Sequence, residues 1–318
     1  MPDVTTRFHT VELPDGPLEL SWAAVTDVGR RRETNQDAVL AQYPLFIIAD
    51  GMGGHIGGEI ASSRTVARMQ SVAGSAKITP REIEKAIKLA VRDIASHPGS
   101  TDDGTGTTLT GVYLDVSGLV PHWVTLNIGD SRVYLLRDGR IAQVTTDHSV
   151  VQELIAAGRL SPEEAESHPY GNVITRAVGP SDHVKPDYVR LDVVEGDRFV
   201  ICSDGLTKEL TDYGIQHFLG EHPDAADAVE AMLDAALENG GRDNVSIIVL
   251  NVGSPESLVD DERDADAPRE DESDADESDA DESDADDADE SDADDSDADE
   301  AGAADGADEA GDAEDRSA

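Results

Sequence analysis

The stretch LFIIADGMGGHIGGE, residues 45–59, passes from five apolar residues into one carboxylate, Asp50, and then through five glycines. An apolar run of this length, closed by a turn signal, reads as a strand. Taken alone, an Asp-Gly after a strand reads as a turn, because Asp accepts local backbone hydrogen bonds and Gly tolerates positive φ. The glycines suggest a phosphate cradle, but no Gly-Lys-Ser/Thr follows them, so that motif is not met. Small residues here also let the backbone, the Gly51 carbonyl included, come close to a bound ion.

The pattern recurs along the chain. LNIGD ends at Asp130, FVICSDG places Asp204 after an apolar run, and GRDNVSIIVL sets Asp243 just before one. Read this way, four carboxylates sit at strand ends. Brought to one sheet edge they repel one another unless cations lie between them, and hard divalent ions with oxygen ligands meet that need. Mg²⁺ suits scattered Asp residues in a chain with no Cys or His ligand cluster.

Strand-like stretches fall at 18–28, 45–49, 107–114, 122–127, 133–136, 140–144, 188–193, 198–202 and 245–250, many with no helix between them. Thr79, Pro80 and Glu82 form a capping-box start to a helix whose apolar residues, Ile83, Ile87, Ala90, Val91 and Ile94, recur at helical spacing. Two further helices are expected over 58–72 and 223–237, the second stopped by Gly240 and Gly241. Strands in runs with helices grouped apart predict one α+β domain of antiparallel sheets with helices packed outside. Residues 158–180 are polar and read as a surface flap.

After Val259 no further Leu, Ile, Val, Met, Phe, Tyr or Trp occurs, so residues 256–318 are expected to form a disordered acidic tail behind a domain of residues 1–255. The tail carries 32 acidic against three basic residues, a charge of −29, and repeats Ser-Asp-Ala-Asp-Glu/Asp from Ser273, Ser278, Ser283, Ser291 and Ser296. The remainder holds 37 acidic against 21 basic residues. So negative a surface argues against nucleic acid as a ligand. One cysteine, Cys202, allows no intrachain disulfide, and neither a signal-type segment nor a membrane span is apparent, so a cytoplasmic protein without membrane insertion is expected.

RRETNQD (31–37), ADGMGGHIGGE (49–59), GTGTTLTGVYL (104–114), IGDSRVYLLRDG (128–139), TTDHS (145–149), CSDGL (202–206) and RDNVSIIVL (242–250) resemble, in order, the motifs of the PPM family, the type 2C metal-dependent serine/threonine protein phosphatases, in their bacterial or archaeal style. The resemblance covers about residues 20–252 and implies a β-sandwich of two antiparallel sheets flanked by helix pairs. It also implies two Mg²⁺ or Mn²⁺ ions and a weaker third. By motif position Asp50 bridges the two core ions, the Gly51 carbonyl joins one, and Asp204 and Asp243 complete the other. Asp37 acts through metal-bound water, Asp130 joins Asp204 at the third site, and Arg32 clamps the phosphate with its guanidinium fork.

The implied reaction is hydrolysis of phosphoserine and phosphothreonine in proteins by a hydroxide bridging two ions, so no protein nucleophile is needed. Consistent with this, a Cys-x₅-Arg phosphatase would need arginine at 208, where Lys208 stands, and Cys202 reads as a buried strand residue. Met52 stands where many eukaryotic members carry a histidine proposed as general acid. His55 is the nearest candidate for that proton, with water the alternative. Gln36 stands where Glu is more usual. His148 reads as a structural histidine and His168 as a structural or surface one. The implied partners are phosphorylated proteins and a bacterial-type serine/threonine kinase system, with the chain a monomer. The alternative is a catalytically weak member of the same fold that senses phosphopeptide or metal, against which the complete metal motifs speak.

Overall fold

A computed structural model describes residues 4–14, 16–53, 56–75, 77–97, 104–166, 168–181 and 183–253, all within one compact unit. The domain boundary expected after residue 255, and the acidic tail, lie outside the described residues.

Two antiparallel sheets form the centre. The first runs in the order β1 (Arg7–Leu13), β2 (Gly16–Asp27), β12 (Val245–Val252), β11 (Arg198–Cys202), β8 (Arg132–Arg137), β9 (Arg140–Gln143). The second runs β10 (Asp187–Asp192), β7 (His122–Ile128), β6 (Leu109–Asp115), β4 (Leu45–Met52), β3 (Asp37–Gln42), with the short β5 (Gly106–Thr107) paired to β4. Helices α1 (Gly57–Ala73) and α2 (Pro80–Ala95) accompany the second sheet. The first has α6 (Asp212–Glu221) and α7 (Ala225–Glu238). Short helices α3 (Val150–Ala156), α4 (Pro162–Glu166) and α5 (Asp204–Thr207) lie in the connections.

The side-chain period of a strand explains the layers. In β4, Phe46 and Ile48 enter the core between the sheets, with Trp22, Trp123, Phe199, Ile201 and Ile248, while Leu45 and Ile47 face the α1–α2 layer. In β12, Ile248 and Leu250 point inward, and Ile247 and Val249 pack against α7 residues such as Val229 and Met232. Both strands are buried on both faces, which is why each reads as a continuous apolar run. The Thr79–Glu82 capping box opens α2 as the sequence predicts.

The sequence reading needs two corrections. Residues 107–114 do not form one strand: Thr108 breaks it, because its backbone and hydroxyl are both used by Asp50. Asp50 does not lie past the end of its strand, because β4 continues through Gly51 to Met52 by pairing with β5.

Candidate active site

One end of the sandwich gathers the charged residues. Asp37 opens β3, Asp50 lies near the end of β4, Asp130 follows β7, Asp204 follows β11, and Asp243 precedes β12. Asp37 and Asp50 stand directly opposite each other across the β3–β4 pair, a like-charge arrangement that destabilises a sheet when nothing compensates it.

Asp50 is fixed through its backbone and Asp37 through its carboxylate. The Asp50 backbone N–H donates to Thr108 Oγ1 at 2.9 Å, and its carbonyl accepts from Thr107 Oγ1 at 2.8 Å and from the Thr108 N–H at 2.9 Å. Asp37 Oδ2 accepts from Ser246 Oγ at 2.7 Å, and Ser246 Oγ lies 2.8 Å from Thr26 Oγ1. Gly51 is required by packing: a Cβ there would meet the carbonyl oxygens of Gly58 at 2.3 Å and Gln36 at 2.5 Å. Gly51 and Gly58 therefore serve the approach of backbone to backbone.

Two cations answer the acids. Arg32 places Nε 2.8 Å from Asp243 Oδ1 and Nη2 2.9 Å from Oδ2. Lys208 sets Nζ 2.5 Å from Asp204 Oδ2 and 2.9 Å from Asp243 Oδ2. Among the described residues no ion pair reaches Asp37, Asp50 or Asp130, and Asp37 Oδ1 and Asp204 Oδ1 are buried without a hydrogen-bond partner.

The electrostatics follow this placement. Burial, then the neighbouring carboxylates, raises Asp50 well above the ordinary carboxylate range. Burial, partly offset by the Ser246 hydrogen bond, raises Asp37 to about 6, and burial with repulsion from Asp204 and Asp147 raises Asp130 to about 7. Asp243 goes the other way: burial raises it, but Lys208, the Asn244 N–H and Arg32 outweigh burial and hold it below the usual value. Burial lowers the Lys208 ammonium, and Asp204 and Asp243 more than reverse that.

Sequence reasoning missed two supporting residues, Asn244 and Lys208. The Asn244 side chain accepts from the Gln36 N–H at 2.9 Å and donates to the carbonyls of Val28 and Thr34, each at 2.9 Å, which pins the loop carrying Arg32. Its place beside Asp243 in RDN was the available signal. His148 Nδ1 accepts from the Gly129 N–H at 3.1 Å, so Nε2 carries the proton and donates to Asp187 Oδ2 at 3.0 Å. His148 is structural, as the sequence predicts, but Asp187 is its partner; Asp147 is bound by Arg132 at 2.7 Å. The second missed residue is Lys208, which the sequence reading used only to exclude cysteine chemistry. His55 lies outside the described residues.

Arg32, Asp50, Asp130, Asp204, Lys208 and Asp243 line a cavity of about 760 Å³, together with Ile56 and, from the 158–180 segment, Asn172 and Ile174. Asp37 stands behind its wall, hydrogen-bonded to Ser246. Among the described residues no three His, Cys, Asp or Glu side chains form a ready-made metal cage, and Lys208 and Arg32 pair with oxygens of Asp204 and Asp243. An all-oxygen set of clustered acids with unmatched buried oxygens nevertheless fits a hard divalent cation.

The arrangement, an acidic cleft at one end of two sheets flanked by helix pairs, has counterparts among known proteins. A family model described as protein phosphatase 2C matches residues 29–244. The chain is 37% identical over 243 residues to the serine/threonine protein phosphatase PstP of Mycobacterium tuberculosis, a match covering 74% of this chain and 45% of that protein. It is 35% identical over 245 residues to the protein phosphatase PhpP of Streptococcus pneumoniae, covering 73% and 98%. Solved structures agree: a PstP catalytic domain in complex with two manganese ions superposes with a TM-score of 0.65 at 34% identity, covering 74% of this chain and all of that one. The Mycobacterium smegmatis phosphatase MsPP, in complex with cacodylate, gives 0.66 at 35%, covering 73% and 98%. The chain spans about half the length of PstP. It belongs to the protein phosphatase 2C family.

Proposed function

We propose that this chain hydrolyses phosphoserine and phosphothreonine in proteins with the aid of two divalent cations, Mg²⁺ or Mn²⁺. The observation that carries this is the convergence of five aspartates from five separate segments beside one arginine. Asp50, the Gly51 carbonyl, Asp204 and Asp243 would hold the two core ions, with Asp37 acting through water and Asp130 serving a weaker third. Bound cations would supply positive charge for the phosphoryl oxygens and an activated water.

The chain's own residues do the rest. Arg32, half exposed and carried by a loop that Asn244 pins, commits its Nε–Nη2 edge to Asp243 and keeps its Nη1–Nη2 edge for phosphate oxygens. Asn172 and Ile174 wall the cleft and limit water beside the scissile group. The leaving hydroxyl takes its proton from His55 or from water.

The catalytic domain ends at residue 255 and the acidic residues 256–318 follow it, on the strength of composition. The chain works as a cytoplasmic monomer opposite a bacterial-type serine/threonine kinase. Among the described residues no helix is long and apolar enough to cross a membrane, and a monomer is supported by the exposed apolar residues Phe8 on β1, Leu119 in the β6–β7 connection and Tyr213 on α6, which lie on separate parts of the chain.

The test is Mn²⁺-dependent hydrolysis of p-nitrophenyl phosphate and of a phosphothreonine peptide, with and without chelator. Turnover of both substrates that stops on chelation is expected. Turnover that persists in chelator, or no turnover of either substrate, overturns the proposal.

A further inference from the structure

Asp204 and Lys208 are four residues apart on the single turn of α5, where the Lys208 N–H donates to the Asp204 carbonyl at 2.9 Å. This spacing puts both side chains on one face of the turn. Asp243 arrives from the other side, ahead of β12. The Lys208 ammonium spans the gap, 2.5 Å from Asp204 Oδ2 and 2.9 Å from Asp243 Oδ2. We infer that Lys208 is a built-in counter-ion that occupies the cation position between Asp204 and Asp243 and withdraws when a divalent ion is loaded, so that it sets the metal affinity of the site. The inference rests on the reading that these two aspartates share a core ion.

The hydrogen-bond count at Asp243 requires a displacement. A carboxylate offers about four acceptor sites. Asp243 Oδ1 accepts from the Asn244 N–H at 2.9 Å and from Arg32 Nε at 2.8 Å. Its Oδ2 accepts from Arg32 Nη2 at 2.9 Å and from Lys208 at 2.9 Å. All four sites are taken, so an incoming ion must remove a donor. The Asn244 N–H is backbone one residue away and stays. Of the two cations, Lys208 alone bridges both aspartates, which is the place an ion shared by them takes. Its side chain is 30% exposed, and a four-carbon stem lets the ammonium swing into the cleft without moving backbone.

The consequence is competition within the molecule. A site available for only a fraction of the time binds with its intrinsic dissociation constant divided by that fraction. Without metal, Lys208 also offsets repulsion among the clustered acids, as a buried ion-pair partner does. Removing its charge therefore tightens metal binding and weakens the metal-free fold, two effects of opposite sign from one substitution.

The experiment is Mn²⁺ titration calorimetry and thermal melting of the full chain for wild type, Lys208→Met and Lys208→Arg. Lys208→Met is expected to bind Mn²⁺ about 10-fold more tightly and to melt below wild type in chelator. Lys208→Arg, which keeps the charge, stays near wild type in both. Should the Met variant not fold without metal, Lys208→Gln carries the same comparison. Mn²⁺ affinity equal to or weaker than wild type in the charge-removed variant overturns the inference. A wild-type chain that binds no Mn²⁺ at all fails differently, because it removes the two-ion reading on which the inference stands.

Discussion

Strand β11 has a fully buried aspartate just before its first residue and a partly buried one soon after its last. Before it, Asp197 is fully buried and both its oxygens are met by one guanidinium, Arg137 Nε at 2.7 Å and Nη2 at 2.6 Å. After it, Asp204 shares a single lysine with Asp243, keeps one oxygen unpartnered, and faces three more carboxylates that no described ion pair reaches. A buried charge kept for structure is paired, because an uncompensated one costs several kcal/mol. The excess of acid over base at the other end is the composition of a site for divalent cations. The difference between the two ends separates scaffold from site without reference to any relative.

The largest test of that difference is Asp50→Asn. It removes one member of the cross-strand Asp37–Asp50 pair, so turnover is expected to fall by about 1000-fold or more. The chelated protein should melt at or above the wild-type temperature, since a like-charge contact is gone. Turnover near wild type in Mn²⁺ would put the ions elsewhere.

Arg137→Met asks the same question at the other end and should give the opposite answer. Turnover stays within about 2-fold, while stability at pH 7 falls by about 3 kcal/mol, because Asp197 is left buried and alone. Burial already raises the Asp197 carboxyl even with Arg137 beside it, and the variant raises it further. A carboxyl whose folded pKa lies above its unfolded value loses stability as pH rises from one to the other. Denaturant unfolding should therefore show a larger deficit at pH 7 than at pH 5. A deficit independent of pH would mean that lost packing of the arginine stem, not charge, is responsible.

Between these ends the sequence was unevenly legible. β4 and β12 were visible because burial on both faces makes an unbroken apolar run, and Asp50, Asp130, Asp204 and Asp243 were visible because each adjoins such a run. β1 and β3 were not: RFHTVEL is mostly exposed at a sheet edge, and DAVLAQ is a short, half-buried edge strand. α6 hid because it buries only Ile215 and Leu219 and contains two glycines, and α3 because none of its residues is buried. The contacts of Lys208 and Asn244 were out of reach for another reason. Lys208 meets Asp243 35 residues on, besides Asp204 four residues back, and the partners of Asn244 lie more than 200 residues away, and no local periodicity records the long-range meetings.

Asn244→Ala sharpens the account of the cleft end, with a smaller effect than loss of an acid. Three hydrogen bonds to the Arg32 loop disappear, so kcat/KM for a phosphopeptide should fall about 30-fold through misplacement of Arg32. Mn²⁺ affinity should change little, since no carboxylate is touched. A collapse of Mn²⁺ binding in calorimetry would show that Asn244 orders Asp243 itself.

The smallest effect is expected at His148, which lies one step outside the cleft. Its ring accepts from the Gly129 N–H and donates to Asp187, and Gly129 immediately precedes Asp130. The imidazole thus fixes the backbone turn that aims Asp130, while Asp50, Asp204 and Asp243 are held by other elements. His148→Ala leaves a buried N–H unpaired, which costs about 1–2 kcal/mol of stability. It should lower turnover about 3-fold at limiting Mn²⁺ and hardly at all at saturation, because Asp130 belongs to the weakest of the proposed ion positions. His148→Gln, whose amide can accept and donate at once, should recover part of both losses. The measurement is turnover against Mn²⁺ concentration beside the melting temperature for both variants. If His148→Ala loses turnover at saturating Mn²⁺ to the extent of Asp50→Asn, the histidine acts on substrate and its structural role is wrong. If the Mn²⁺ dependence is unchanged while stability falls, the turn before Asp130 does not tune that position, and the cleft is more rigid than its hydrogen bonds imply.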